Sequence, residues 1–128
     1  MPIVQLAAIA ACALLAALVV FQAALIAGAP LGRFAWGGQH EVLPAKLRIG
    51  SGTSIALYAL IAYVALAKAE LAAPLVSEGF TAVACWVLTG YFSLGIVLNG
   101  ISRSKPERKV MTPTVLVLTA LYLVLSLH

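Results

Sequence analysis

The sequence predicts an all-α integral membrane protein whose fold is a four-helix transmembrane bundle. Hydrophobic residues make up 63% of the 128 residues and charged residues only 9%, whereas a soluble domain carries roughly 25% charged residues. Four long apolar stretches contain no charged side chain, and each is long enough to cross a hydrocarbon layer of about 30 Å as a helix. Because the connections between them are short, we expect a single transmembrane domain over residues 1–128.

The predicted spans cover about residues 3–29, 45–67, 78–101 and 112–127. The first apolar stretch could be mistaken for a signal peptide. It lacks a basic segment before its apolar run, and that run is much longer than the 7–15 residues or so of a signal-peptide core. We therefore expect a retained first span, which ends at Gly28 and Pro30 because these residues favour helix termination.

The second span is predicted to begin at Pro44, since proline suits the first helical position. Lys46 and Arg48 then fall in the first turn, where cations oppose the helix dipole. A compensating group is needed, and a lipid phosphate or Glu41 is the simplest candidate.

The third and fourth spans each carry a recognisable start. Ser77 can cap the third span, and Glu78 in its first turn has the sign that the dipole favours. Thr112 followed by Pro113 predicts the start of the fourth span, with the threonine as the cap and the proline at the first helical position.

The distribution of basic residues predicts the orientation in the membrane. The first and third connections, which share one side of a four-span protein, hold seven of the eight Lys and Arg residues, and Lys68 alone flanks the second. The positive-inside rule therefore predicts that loops 30–46 and 102–111 are cytoplasmic and that both termini are extracytoplasmic, in a bacterial inner (plasma) membrane.

The two basic connections can converge into a ligand-binding site. The candidate residues are Arg33, Trp36, Gln39, His40, Lys46, Arg48, Asn99, Ser102 and Arg103. Arginines and glycine N–H groups suit phosphate or carboxylate, so we expect membrane lipids, especially their anionic head groups, or an acidic partner to bind here. The alternative is that these residues only set the topology and anchor the protein to lipid. The bases lie beside helix ends, which favours lipid over nucleic acid as their partner, and a homo-oligomer stays open.

Other functions have weaker support in the sequence. His40 and Glu41 are weak candidates for acid–base catalysis, so we assign no catalytic residues, and a lipid-modifying enzyme remains an alternative. Metal and cofactor sites are not expected, because the chain has no Asp and its other histidine, His128, is predicted at the opposite membrane face. A small oligomeric transporter or channel is a further alternative, although the spans hold no ionisable residue near the membrane midplane, where proton-coupled carriers usually place one.

Two segments carry a resemblance to other proteins. AWGGQHEVLPAKLRIGSG over residues 35–52, together with LNGISRSKPER and MTP over residues 98–113, resembles a group of small bacterial four-span inner-membrane proteins. The resemblance implies the fold and the membrane, and it implies no mechanism. It marks as positions of interest Trp36, Gly37, Gly38, His40, Pro44, Arg48, Asn99, Ser102, Arg103 and Pro113.

Overall fold

A computed structural model of the chain describes residues 2–128 and confirms the predicted all-α four-helix bundle. Within these residues the helices are α1 (Ile3–Ile26), α2 (Ala45–Lys68), α3 (Glu78–Gly100) and α4 (Lys105–Leu127). Two short 3-10 turns, Gly32–Phe34 and Trp36–Gly38, lie in the first connection. Each of the long helices is apolar and long enough to cross a membrane. The chain is therefore a multi-pass membrane protein.

The helices pack as a ring in which α1 contacts α2 and α4, and α3 contacts α4 and, more loosely, α2. Small residues of α1, among them Ala8 and Ala11, are fully buried in the core, and such residues let helix backbones approach closely in lipid. The buried Tyr122 of α4 donates its hydroxyl proton to the carbonyl of Ile61 on α2, at 2.6 Å. This hydrogen bond joins two helices that are diagonal in the ring.

α1 ends at Ile26 rather than near residue 29, and Gly28 makes the turn that follows it. Gly28 has φ +94°, and the N–H groups of Gly28 and Ala29 return to carbonyls of the last helical turn, at 3.1 and 3.0 Å. The Arg48 guanidinium lies beside Gly28, and its Nε donates to the Leu43 carbonyl at 2.8 Å. The Arg48 cation therefore lies at the carboxyl end of α1, where the helix dipole favours a positive charge.

The predicted start of the fourth helix at Thr112 and Pro113 is wrong. α4 begins at Lys105, and Ser104 is its cap, accepting the Glu107 N–H at 3.3 Å. The intervening Lys, Glu and Arg residues are good helix formers, so the helix continues through them. Pro113 therefore lies inside α4, where its missing N–H leaves one carbonyl of the preceding turn without a helical partner.

Candidate functional site

The first connection is a structured loop whose backbone requires its glycines. The Gly32 N–H donates to the Glu41 carbonyl at 2.8 Å, which closes the loop on itself. A Cβ atom on Gly32 would lie 1.8 Å from the His40 carbonyl oxygen, so no side chain fits there. Trp36, Gly37 and Gly38 follow with φ values of 52°, 74° and 72°. Three consecutive residues in the left-handed region turn the chain back across the end of the bundle.

This loop is docked on the first turn of α4. The Ser104 hydroxyl donates to the Arg33 carbonyl while it caps α4, and the Gly37 N–H donates to Glu107 Oε2 at 2.9 Å. Gly38 packs directly on Ser104, since a Cβ on Gly38 would come within 2.5 Å of the Ser104 Cβ. One serine and one glutamate therefore hold both the start of α4 and the glycine-rich loop.

Residues 104–107 match the sequence of a capping box, Ser-x-x-Glu, but the glutamate is used differently. In a capping box the glutamate side chain would reach back to the N–H of the capping serine. Here the Ser104 N–H donates to Ser102 Oγ at 3.2 Å. Because Ser102 takes that position, the Glu107 carboxylate is available to bind Gly37 of the loop.

Between the loop and α4 lies an open groove of 720 Å³, which we call the basic groove. Four residues of the predicted site line it, namely Arg33, Gln39, Ser102 and Arg103. Both arginines are exposed, and the Arg33 guanidinium carbon lies 5.0 Å from the centre of the Phe34 ring. The stacking fixes the stem of Arg33 and leaves its donors free for an anion.

The remaining predicted residues lie elsewhere. Trp36 packs on α2, where a Cβ on Gly50 would come within 2.8 Å of the indole ring. Trp36 and Asn99 also line a second cavity, which lies under the loop. His40 and Lys46 are exposed and lie outside both spaces, while Arg48 lies at the end of α1. The nine predicted ligand-binding residues therefore do not form one site, because they are divided between the basic groove, the second cavity and positions outside both.

The second cavity, which we call the chamber, has a volume of 180 Å³ and lies under the loop. Two of its polar residues, Gln22 and Glu107, were not predicted as site residues. Gln22 is 8% exposed and its Oε1 has no hydrogen-bond partner, and Glu107 is 9% exposed. Glu107 also lines the basic groove, so it forms the wall between the two spaces. The Ser-x-x-Glu pattern was the available signal for Glu107. For Gln22 the signal was an amide side chain within an apolar span.

Features expected of a transporter or an enzyme are only partly present. Tyr58 and Asn99 line the chamber, whereas Thr89 of α3 is buried in contact with Ser126 at 3.1 Å. Apolar side chains, including Leu15 and Leu118, fill the core of the bundle. His40 and Glu41 are exposed, and the Glu41 backbone carbonyl accepts the Gly32 N–H that closes the loop. Within residues 2–128, no cluster of three or more metal-ligating side chains occurs.

An apolar groove of 450 Å³ lies between α2 and α3, where these two helices pack most loosely. It is lined mainly by leucine, valine and isoleucine side chains, with Tyr58 and Tyr91 toward the loop end. Such a surface is expected on the outside of a transmembrane bundle, where hydrocarbon chains fill it.

The two ends of the bundle differ strongly in charge. The loop end carries seven basic residues and the acidic Glu41 and Glu107, a net charge of +5, while the opposite end carries Lys68, Glu70 and Glu78, a net charge of −1. Together they account for the net charge of +4 of the chain. The loop end is therefore the face that attracts anions.

Comparison with known proteins adds no assignment. No family model, curated protein or solved structure matches the chain.

Proposed function

We propose that the loop end of the bundle faces the cytoplasm and that the basic groove binds the phosphate of an anionic lipid head group. The observation that carries the proposal is the groove itself, in which Arg33 from the first connection and Arg103 from the third line one open space. Two arginine guanidinium groups can each donate bidentate hydrogen bonds to a phosphate, and Gln39 and Ser102 add neutral hydrogen-bonding groups.

The position of the groove supports a lipid rather than a soluble anion. It lies at the end of the apolar helices, beside the first turn of α4, where head groups are expected. Basic side chains near a cytoplasmic surface gain about 1 kcal/mol each from anionic lipid, and a net charge of +5 at this end matches the positive-inside rule. The same proposal places both termini outside a bacterial inner membrane.

A matched pair of double variants tests the proposal. Arg33→Ala with Arg103→Ala removes both guanidinium groups of the groove, whereas Lys105→Ala with Lys109→Ala removes the same charge from exposed positions that do not line it. Retention of phosphatidylglycerol is measured by native mass spectrometry from mild detergent. We expect the arginine variant to lose at least about tenfold in affinity, since a hydrogen bond to a charged group contributes about 1.5–3 kcal/mol, and the lysine variant to lose much less.

Equal losses of phosphatidylglycerol affinity in the two double variants would show that a diffuse basic surface, and not the groove, binds the lipid. Unchanged retention in the arginine variant, with an acidic peptide binding in its place, would favour the acidic-partner alternative. Homo-oligomer formation stays a prediction, and the same spectra measure it.

A further inference from the structure

The chamber under the loop has a composition opposite to that of the basic groove. It is lined by all four helices and the loop and has a volume of 180 Å³, about the volume of six water molecules. Four aromatic side chains form much of its wall, namely Phe21, Phe34, Trp36 and Tyr58. Its polar groups include Gln22, Asn99 and Glu107.

The chamber contains one buried hydrogen-bond acceptor without a donor and one carboxylate with a single recorded hydrogen bond. The Oε1 atom of Gln22 has no partner, although the side chain is only 8% exposed, and a buried acceptor without a donor costs free energy. The Glu107 side chain is 9% exposed, and the hydrogen bond recorded for its carboxylate is the one from the Gly37 N–H to Oε2. The Asn99 amide is already engaged, since its Nδ2 donates to the Gly95 carbonyl at 2.8 Å.

A buried carboxylate and an unpartnered carbonyl oxygen, surrounded by aromatic rings, select for one kind of ligand. An anion would be repelled by Glu107, because the chamber, unlike the basic groove, is lined by no basic residue of the described part of the chain that would offset this carboxylate. An apolar molecule would leave Gln22 without a donor. A quaternary ammonium group would suit the rings but offers no N–H to the two oxygens. A protonated primary amine satisfies all three features.

We infer that the chamber binds a protonated primary amine, with Glu107 and Gln22 accepting its N–H groups and the aromatic rings facing its charge. The amine can be a free small molecule or the ammonium of an ethanolamine lipid, because both present the same group. This site uses Gln22 and Glu107, whereas the proposed phosphate site uses Arg33 and Arg103, so either proposal can fail alone.

The test uses Trp36 as its reporter. The chain has two tryptophans, and Trp86 is an exposed residue of α3 outside the chamber; in a Trp86→Phe background only Trp36 emits. Purified protein in a detergent free of amines is titrated with ethylammonium chloride, with tetramethylammonium chloride and sodium chloride at equal ionic strength as controls. We expect a saturable change in Trp36 emission with ethylammonium alone.

Two variants and two matched controls locate the site. Glu107→Gln removes the charge but keeps an oxygen for the Gly37 N–H, and Gln22→Met removes the amide at similar volume; each is expected to weaken ethylammonium binding at least tenfold. Gln5→Met on α1 and Glu78→Gln at the opposite end make the same chemical changes outside the chamber and are expected to leave binding unchanged. Helical circular dichroism of each variant verifies that the bundle is folded.

Reconstitution then distinguishes the two sources of the amine. In nanodiscs of phosphatidylethanolamine, loss of the ethylammonium response that persists in phosphatidylcholine nanodiscs identifies the lipid head group as the occupant. A response that persists in both membranes identifies a free amine. A wild-type response shared by tetramethylammonium or sodium, or an undiminished response in folded Glu107→Gln and Gln22→Met, overturns the inference.

Discussion

Alanine substitutions at three glycines test why the docked loop requires glycine, since close backbone contact applies at Gly32, a positive φ at Gly37 and neither at Gly52. In Gly32→Ala the new Cβ would lie 1.8 Å from a backbone oxygen, so the loop must open and the Gly32–Glu41 hydrogen bond is lost. Overpacking costs typically about 1–3 kcal/mol and the hydrogen bond contributes about 0.5–1.5 kcal/mol. We therefore expect Gly32→Ala to destabilise the docked loop by about 2–4 kcal/mol.

The other two substitutions calibrate this value. A Cβ on Gly37 meets nothing within 4 Å, but its φ of +74° costs an alanine about 1–2 kcal/mol. Gly52, inside α2, has neither restriction, so Gly52→Ala is expected to be neutral or to stabilise the helix by up to about 1 kcal/mol. The expected order of destabilisation is Gly32→Ala, then Gly37→Ala, then Gly52→Ala.

Hydrogen exchange of the loop amides measures this order, because it reports local opening as well as global unfolding. A loss of 2–4 kcal/mol corresponds to exchange that is about 30 to 1,000 times faster in Gly32→Ala than in the wild type. Thermal unfolding in the same detergent shows whether the bundle shares the effect. If the loop amides exchange no faster in Gly32→Ala than in Gly37→Ala, close backbone contact is not the reason why position 32 requires glycine.

The remaining predictions concern hydrogen bonds at helix ends and in the core, and thermal unfolding in detergent measures each. Ser104→Ala removes both a helix cap and a bond to the first connection, so it should cost about 1.5–2.5 kcal/mol, against about 1 kcal/mol for Ser77→Ala, which removes a cap alone. Equal costs would mean that the bond to the loop contributes nothing. Thr112→Ala should be neutral or slightly stabilising, because its buried hydroxyl has no partner; a loss as large as that of Ser104→Ala would restore Thr112 as the cap. Tyr122→Phe should lower the unfolding free energy by about 0.6–1.7 kcal/mol, whereas Tyr91→Phe, at an exposed ring, should not.

The fold was predictable because hydropathy and helix-start signals act locally. The expected start at residue 78 agrees with Glu78, which follows the capping Ser77. α2 begins at Ala45, because Pro44 is extended and precedes the helix instead of being its first residue. The start of α4 was missed because two capping patterns compete in one segment, Ser104 with Glu107 and Thr112 with Pro113. The helix begins at the Ser104 pattern because Ser104 also donates a hydrogen bond to the loop, a tertiary contact that no local pattern contains.

The site was predictable only to the level of the membrane face. Topology requires the first and third connections to share one end of the bundle, and Arg33 and Arg103 do line one groove there. Arg48 lies beside Gly28, which is twenty residues away in the sequence, and no local pattern contains that contact. The chamber joins Gln22 to Glu107 across the whole chain, and only the packed structure brings such distant residues together.

The proposal that the loop end faces the cytoplasm is tested most directly by the sidedness of two exposed positions. Gln39 lies at the loop end and Leu75, which is 79% exposed, lies at the opposite end. In a background with Cys12 and Cys85 replaced by alanine, each position is changed to cysteine and intact cells are treated with a membrane-impermeant thiol reagent. We predict that Leu75→Cys is modified in intact cells and Gln39→Cys only after lysis; modification of Gln39→Cys alone in intact cells would contradict the orientation, and with it the cytoplasmic lipid-binding groove.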